Sequence, residues 1–270
     1  MGSWRDVQAM ADGVAGMEGK VTVPSGYAAA PPRAQSLPRR TGVPMTSFAS
    51  IYHRAAMRKG GPGVLEEMLE PLGRSVDLGE IPDDRWLSRM ARHVMAAGFQ
   101  WRVVEAMWGT HEEHLFGFQP EPVAFMSEAD IDRIADTKGV IGHRPKLAAI
   151  RGNARMILEL AGEHGSFGEF VAQWPADDPV GLFLYLKEHG ERLGGMTGPY
   201  MLRAMGFDTF LFTRDVTQAL VDAKVIDKAP TTKRRMLAAQ AAFVGWKQES
   251  GRSFVELSRT LAYSTGDGQL

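Results

Sequence analysis

The stretch that decides the fold runs from Leu193 to Val216 and reads LGGMTGPYMLRAMGFDTFLFTRDV. It opens with a glycine-rich turn, and the pattern predicts a helix from Pro199 to Met205. A short apolar loop then leads to Asp215, just before a second helical run. Unpaired amides at the start of a helix bind anions such as phosphate, since the helix dipole favours negative charge there. The stretch therefore predicts a phosphate-binding turn followed by a carboxylate; the alternative is a loop between core helices, with Asp215 as an ordinary N-cap.

The composition excludes several classes of protein. The chain has 270 residues, of which 44% are hydrophobic, enough for one sizeable core or two lobes that share a cleft. It contains no cysteine, which excludes disulfides and cysteine-ligated zinc and favours a reducing, cytoplasmic setting. No apolar run approaches the roughly 20 residues of a membrane span. Because the net charge is −1, any nucleic-acid site must be a local basic patch.

The remaining sequence predicts an all-α protein. Residues 1–44 are rich in proline, glycine, alanine and serine and predict a disordered tail or extension. Residues 45–270 carry ten or so short helices, one of them a continuous run from Trp101 to Trp108. We find no alternating strand pattern, and the phosphate-loop, dinucleotide-binding, HExxH and GxSxG motifs are all absent.

A series of landmarks occurs in a fixed order along the chain. They are Tyr52-His53, Ala97-Gly98-Phe99 with Trp101, Phe118 with Pro120, Val123-Ala124 with Met126, Asp130, Gly139-Val140-Ile141, Arg144, Lys146, Gly152-Asn153-Ala154-Arg155, and Gly195 with Thr197 and Tyr200. In these residues and their spacing the chain resembles the DNA-3-methyladenine glycosylase I family. The resemblance covers roughly Phe48 to Met205.

The resemblance implies an all-α, two-lobed enzyme of the helix-hairpin-helix DNA glycosylase superfamily. Such enzymes flip a damaged base out of duplex DNA and cut its N-glycosidic bond, because a base is chemically reachable only outside the stack. We therefore expect a monofunctional glycosylase of base excision repair, acting on alkylated, 3-methyladenine-like or other damaged bases. Its partner would be damaged DNA, and we expect a monomer without a cofactor and without contact to a membrane.

The chain departs from the family pattern in two features and gains one further residue. The family usually has a glutamate in its base pocket where this chain has His93, which puts recognition of 3-methyladenine itself in question. Of the family's zinc site only His53 remains, so we predict no metal and a packed or hydrogen-bonded His53. Asp215 resembles the catalytic aspartate of the wider superfamily. The hairpin lysine of bifunctional lyases is missing, which favours hydrolysis by water over Schiff-base chemistry.

The resemblance also implies roles for the candidate catalytic and pocket residues. Asp215 would stabilise the cationic sugar that develops as the base leaves. Tyr52 and Trp101 would stack on the flipped base, since aromatic faces attract cationic ligands, and His93 would hydrogen-bond to the edge of the base. The alternative for the two aromatic residues and for His93 is ordinary core packing.

The candidate contacts to the DNA backbone are the amides of Gly195, Thr197 and Gly198, together with the basic side chains of Arg144 and Lys146. For the basic residues the alternative is a solvated helix face. Two other functions remain possible at this point. A non-catalytic DNA-binding protein of the same fold would explain the missing glutamate, and an unrelated helical interaction module would not bind DNA at all.

Overall fold

Helices form the whole architecture of residues 46–73 and 76–266, which are the residues that this computed structural model describes. The two ranges contain no β-strand, so the predicted all-α class is confirmed. The predicted tail, residues 1–44, lies outside the described residues. The described chain has fourteen α-helices: α1 Phe48–Lys59, α2 Pro62–Leu69, α3 Asp83–Ala96, α4 Trp101–Ala106, α5 Trp108–His114, α6 Pro120–Ala124, α7 Glu128–Ala135, α8 Arg144–His164, α9 Phe167–Ala172, α10 Pro179–His189, α11 Thr197–Ala204, α12 Arg214–Asp222, α13 Lys233–Ser250 and α14 Phe254–Thr265. None of the fourteen combines the length and the apolar character that a membrane span needs.

Side-chain caps fix where several of these helices begin. The side chain of Ser47 accepts a backbone amide of the first turn of α1. Ser127 and Asp130 form a reciprocal capping box at the start of α7, and Ser253 and Glu256 form a second one at α14. Each cap satisfies amides that the helix leaves unpaired, and the loss of such a cap typically costs about 1 kcal/mol of stability.

The long helix α8 lies at the centre of the main core. It packs against α3, α6, α7 and α9. Leu147, Ile150 and Ile157 of α8 are fully buried in one apolar cluster together with Trp86 of α3. Burial of a side chain of this size stabilises the fold by about 1.5–3 kcal/mol, so α8 anchors the helices that carry the candidate site.

The last helix, α14, packs against helices from both the beginning and the end of the described chain. It packs against α1 and α12 and also contacts α13. Tyr263 of α14 belongs to a smaller apolar cluster that includes Leu65 and Leu69 of α2. This packing brings the end of α14 beside the start of α12, where Asp215 lies.

The predicted continuous helix from Trp101 to Trp108 is wrong, because two helices replace it. α4 ends before Met107 and α5 begins after it, with Met107 at φ −100° and ψ 0°. The amide of Met107 is shared between the carbonyl oxygens of Val103 and Val104, so the chain tightens at this residue. All the residues of the run are compatible with a helix, and their types alone do not reveal the interruption.

Candidate functional site

A turn between α3 and α4 brings His93 and Trp101 together. Gly98, at φ 82°, supplies the left-handed backbone of this turn, and α4 begins at Trp101. The centroids of the two rings lie 5.2 Å apart, with 55° between the ring planes. Rings in direct contact have centroids about 4.5–7 Å apart, so no third ring fits between these two. Trp101 is 42% exposed, so part of its side chain is accessible from solvent.

The hydrogen bond of His93 decides which of its nitrogens carries the proton. Nδ1 lies 3.0 Å from the carbonyl oxygen of Arg89, and since a carbonyl only accepts, Nδ1 must donate. Burial lowers the pKa of His93; the bond to the Arg89 carbonyl opposes this, while the guanidinium groups of Arg89 and Arg92 lower the pKa further. His93 is therefore neutral near pH 7, and its Nε2 is a hydrogen-bond acceptor.

Tyr52, the third predicted pocket residue, makes its contacts elsewhere. It lies on α1, and its hydroxyl donates to the carboxylate of Glu66 on α2 at 2.6 Å. This hydrogen bond raises the pKa of Tyr52, with burial adding to the effect. The guanidinium of Arg252 lies over the ring of Tyr52, 5.3 Å from its centroid, and also binds Glu66. The structure joins His93 with Trp101, whereas Tyr52 ties α1 to α2 and to the start of α14.

Lys146 is buried, which contradicts its predicted contact with a phosphate. Its side chain is 4% exposed, and its ammonium donates to the carbonyl oxygens of Met95 and Ala97 at 2.9 and 2.6 Å. The centroid of the Phe99 ring lies 4.5 Å from Nζ, a cation–π contact. Burial also lowers the pKa of Lys146. Lys146 therefore binds the last carbonyls of α3 and holds the turn that leads to Trp101.

Arg144 is exposed, but two carboxylates already bind it. Its Nε lies 2.5 Å from the carboxylate of Asp132, and its Nη2 lies 3.0 Å from that of Asp136. These two hydrogen bonds raise the pKa of Arg144. A phosphate would have to compete with both carboxylates, so the predicted DNA contact requires that this cluster rearrange.

An open groove lies beside α4, away from Trp101. It is lined by Phe99, Val103 and Met107 together with residues 141–143, and its volume is about 440 Å³. Val103 follows Trp101 by two positions, which turns the side chains about 200° apart around a helix. The groove is therefore separate from the corner formed by His93 and Trp101.

The glycine-rich turn joins α10 to α11 and uses two of the predicted phosphate-binding amides itself. The amide of Gly198 donates to the carbonyl oxygen of Leu193 at 3.0 Å, and that of Thr197 donates to Gly194 at 3.3 Å. A Cβ atom at position 198 would lie 2.6 Å from the Leu193 carbonyl oxygen, so the turn needs glycine there. The prediction that Thr197 and Gly198 offer their amides to a phosphate is therefore wrong.

The amides that remain for a ligand belong to the two preceding residues. Within the described chain, Gly195 and Met196 have no backbone acceptor for their N–H groups. Gly195 is exposed and has the left-handed backbone, with φ at 63°. Successive amides in such a turn can form a concave site for an anion, and the contact of Gly195 with a phosphate stays a prediction.

Asp215 lies in the first turn of α12 and is not its N-cap. The cap is Thr213, whose hydroxyl accepts the amide of Val216 at 3.2 Å, so the alternative interpretation of Asp215 is wrong. The hydroxyl of Thr265 donates to the backbone carbonyl of Asp215 at 2.9 Å. A Cβ atom on Gly266 would lie 2.3 Å from the carboxyl carbon of Asp215. The half-buried carboxylate is therefore held against the end of α14.

A buried arginine beside the hairpin is not predicted by the sequence pattern. The guanidinium of Arg203, on α11, donates to the carbonyl oxygen of Thr209, and its Nε is buried without a partner in the described chain. Burial lowers the pKa of Arg203 to about 10, and the nearby Arg259 contributes. The sequence does show an arginine within an apolar helix. This pattern alone cannot distinguish a buried guanidinium from one that extends to solvent.

His53 is the one residue that remains of the zinc site which the resemblance implies. His53 is exposed on α1, so it is not packed in the core as one alternative required. The residues that the structure describes contain no group of three or more His, Asp or Glu side chains placed to hold a metal ion.

One protein family matches the segment that contains the aromatic corner. Residues 80–181 match the family model described as methyladenine glycosylase. Over this segment, which is less than half of its length, the chain is similar to that family. The family match includes His93 and Trp101, whereas Tyr52, the hairpin and Asp215 lie outside it.

Individual relatives of the methyladenine glycosylase family resemble parts of the chain. DNA-3-methyladenine glycosylase 1 of Escherichia coli (strain K12) is 36% identical over 75 residues, which cover 28% of this chain and 40% of that protein. The Haemophilus influenzae DNA-3-methyladenine glycosylase is 27% identical over 101 residues, covering 37% of this chain and 55% of that protein. The chain thus spans about half the length of these curated relatives, or less. The structure of 3-methyladenine DNA glycosylase I from Staphylococcus aureus aligns with a TM-score of 0.43 and 24% identity, over 58% of this chain and 92% of that one.

Proposed function

We propose that the chain is a monofunctional DNA glycosylase of base excision repair, which releases alkylated or otherwise damaged bases by hydrolysing the N-glycosidic bond. The observation that carries the proposal is the corner of His93 and Trp101, which lies inside the segment that matches the methyladenine glycosylase family. An exposed indole beside a ring with a vacant hydrogen-bonding nitrogen suits a flat, polar ligand such as a flipped base. Both curated relatives are named for action on 3-methyladenine.

In this proposal the DNA backbone binds at the hairpin. The amides of Gly195 and Met196 receive one phosphate, a contact that positions the protein without reading sequence. The overall charge of −1 supplies no long-range attraction, so affinity rests on such local contacts. Arg144 adds a phosphate contact after it releases the carboxylates of Asp132 and Asp136 and binds the DNA backbone instead.

The proposed chemistry centres on Asp215. Its carboxylate stabilises the positive charge that develops on the sugar as the base departs, and it orients the water that attacks the anomeric carbon. Its place in the first turn of α12 is favourable for a carboxylate, because the helix dipole is positive at that end. Residues 198–200 supply no amine that would form a Schiff base, which supports a hydrolytic reaction.

The proposal includes the setting in which the enzyme works. Its partner is DNA that contains damaged bases, and the reaction uses no cofactor because the nucleophile is water. We also propose that the protein acts as a monomer in the cytoplasm, a setting that its lack of cysteine favours.

A second candidate is a DNA-binding protein of the same fold without catalytic activity. The histidine at position 93, where the family usually has a glutamate, favours it. Such a protein would bind damaged duplex DNA in a salt-sensitive manner and would release no base.

The test is base release from duplex DNA. Purified protein is incubated with DNA that carries methylated, deaminated and oxidised bases, and the released bases are identified by mass. Release of at least one damaged base above the buffer control supports the glycosylase. Salt-sensitive binding with no release from any of these substrates supports the second candidate.

A further inference from the structure

We infer that the site favours uncharged damaged bases that carry an N–H donor over cationic N-alkylated purines, because His93 offers the base a neutral hydrogen-bond acceptor. The inference rests on the proposed function, since it concerns the base that the same corner would bind. It assigns His93 a role in specificity that follows from its own contacts.

The first step of the argument is the hydrogen bond of His93 to its own helix. Nδ1 donates to the carbonyl oxygen of Arg89 at 3.0 Å, so the neutral ring keeps its lone pair on Nε2. Nε2 has no hydrogen-bond partner in the described chain, and Trp101 lies beside the ring. A base stacked on Trp101 therefore meets an acceptor at His93 and needs an N–H group of its own to satisfy it.

The second step is the charge around the ring. The charged groups that act on His93 are Arg89 and Arg92 of α3 and Glu105 of α4. Arg92 binds Glu105 at 3.1 Å, so the one nearby carboxylate is already paired. The guanidinium of Arg89 leaves a positive surplus, which disfavours both a protonated His93 and a cationic ligand.

Trp101 acts in the opposite direction, but more weakly. The face of an indole attracts cations, and this attraction is small where solvent screens it, as it does at the 42% exposed Trp101. A carboxylate at position 93 would add a direct charge-assisted contact to a cationic base, and the neutral His93 supplies none. The site is therefore expected to bind uncharged bases more tightly than cationic ones.

Common lesions differ in the two properties that the site requires, which are the absence of charge and the presence of an N–H donor. Hypoxanthine and 8-oxoguanine are uncharged and carry ring N–H donors. 1,N6-Ethenoadenine is uncharged but has no N–H donor, and 7-methylguanine in DNA is a cation. A base that covers the His93 acceptor without donating to it removes water from the acceptor and leaves it unpaired, so hypoxanthine or 8-oxoguanine is the preferred class.

The experiment measures dissociation constants and single-turnover release rates for four duplexes that differ only in these lesions. The wild type is expected to prefer hypoxanthine or 8-oxoguanine over 7-methylguanine and ethenoadenine by about tenfold or more. His93→Glu should shift the ratio towards 7-methylguanine by at least about tenfold, since it restores a carboxylate. His93→Gln keeps an acceptor oxygen and should keep the wild-type order. His53→Glu makes the same change of side chain at an exposed position and should leave all ratios unchanged.

The outcomes separate this inference from the proposed function. The inference is overturned if the protein releases bases but prefers 7-methylguanine. It is also overturned if His93→Glu leaves the preference ratios between lesions unchanged. In both cases the proposed glycosylase function still stands. Affinities that follow the expected order without any base release refute hydrolysis and support the specificity of the site. If no base is released and the affinities show no such order, both the inference and the proposed function are overturned.

Discussion

The carboxyl group of Asp215 lies so close to the backbone of Gly266 that a Cβ atom on Gly266 would stand 2.3 Å from it. The neighbouring Thr265 donates to the carbonyl oxygen of Asp215, although 50 positions separate the two residues in sequence. The end of α14 therefore sets the position of the proposed catalytic carboxylate. A glycine at position 266 is part of that arrangement, because any side chain there must displace Asp215.

Gly266→Ala should therefore reduce base release more than it reduces stability. A displacement of the carboxylate by about 1 Å is expected to slow the reaction roughly tenfold to a hundredfold. The measurements are single-turnover rates and thermal unfolding of the same preparation. Gly162→Ala is the matched control, since a Cβ atom at this position of α8 meets nothing within 4 Å. Equal rates for the two variants would show that Gly266 does not position Asp215.

Lys146→Met should destabilise the protein without changing the salt dependence of DNA binding. The substitution leaves the carbonyls of Met95 and Ala97 without their donor, at an expected cost of about 1–3 kcal/mol in the free energy of unfolding. Urea unfolding and DNA titrations at several salt concentrations measure the two effects. Arg144→Ala is the comparison, because this exposed residue should affect the salt slope and hardly the stability. A smaller salt slope for Lys146→Met would restore Lys146 as a phosphate contact.

His111 should make the stability of the fold depend on pH. It is fully buried; its Nδ1 donates to Met107 at 2.9 Å, and its Nε2 accepts the amide of Ile141 at 3.0 Å. Burial lowers the pKa of His111 below its unfolded value of about 6.5, so the unfolded state binds the proton more readily. The stabilisation is complete above that value and is lost as the pH falls from about 6.5 through the lower folded pKa.

The check on His111 is the melting temperature of wild type and His111→Gln between pH 7.5 and 5. Glutamine keeps an acceptor for the amide of Ile141 but does not titrate, so the variant should be less stable at pH 7.5 and lose less on acidification. Parallel pH profiles for the two proteins would mean that other groups cause the dependence.

Gly195→Asp should weaken DNA binding more than Gly195→Asn. Both residues tolerate the left-handed backbone at φ 63°, so the pair differs in charge at nearly equal backbone strain. A carboxylate beside the proposed phosphate should lower affinity about fivefold or more at low salt, and the difference should shrink as salt rises. Fluorescence anisotropy with a labelled duplex gives the affinities. Identical affinities across the salt range would place the phosphate elsewhere.

Local signals in the sequence predict much of this fold. Ser127 and Asp130 form the capping box that their spacing indicates, and the glycine-rich turn does separate two helices. These features depend on residues that are close in sequence, which is why pattern and composition suffice. The same holds for the all-α class, since apolar residues recur at helical spacing throughout.

The candidate site is less predictable because it depends on contacts between distant segments. Lys146 belongs to a basic run on α8, and only the position of α3 shows that its ammonium points inward. Thr213 and Asp215 are both suitable caps for α12, and the backbone decides in favour of Thr213. The contact of Asp215 with Gly266 has no sequence signal at all, because nothing in either residue type indicates the other.

The most direct test of the central claim compares wild type with Asp215→Asn on the lesion duplex that the wild type cleaves best. Both the single-turnover rate of base release and the dissociation constant are measured. Asparagine keeps the shape of the side chain but removes the charge that opposes the developing positive charge on the sugar. The account predicts a fall in rate of about a hundredfold or more with DNA affinity within about twofold of wild type. An unchanged rate, or a loss of binding equal to the loss of rate, would contradict it.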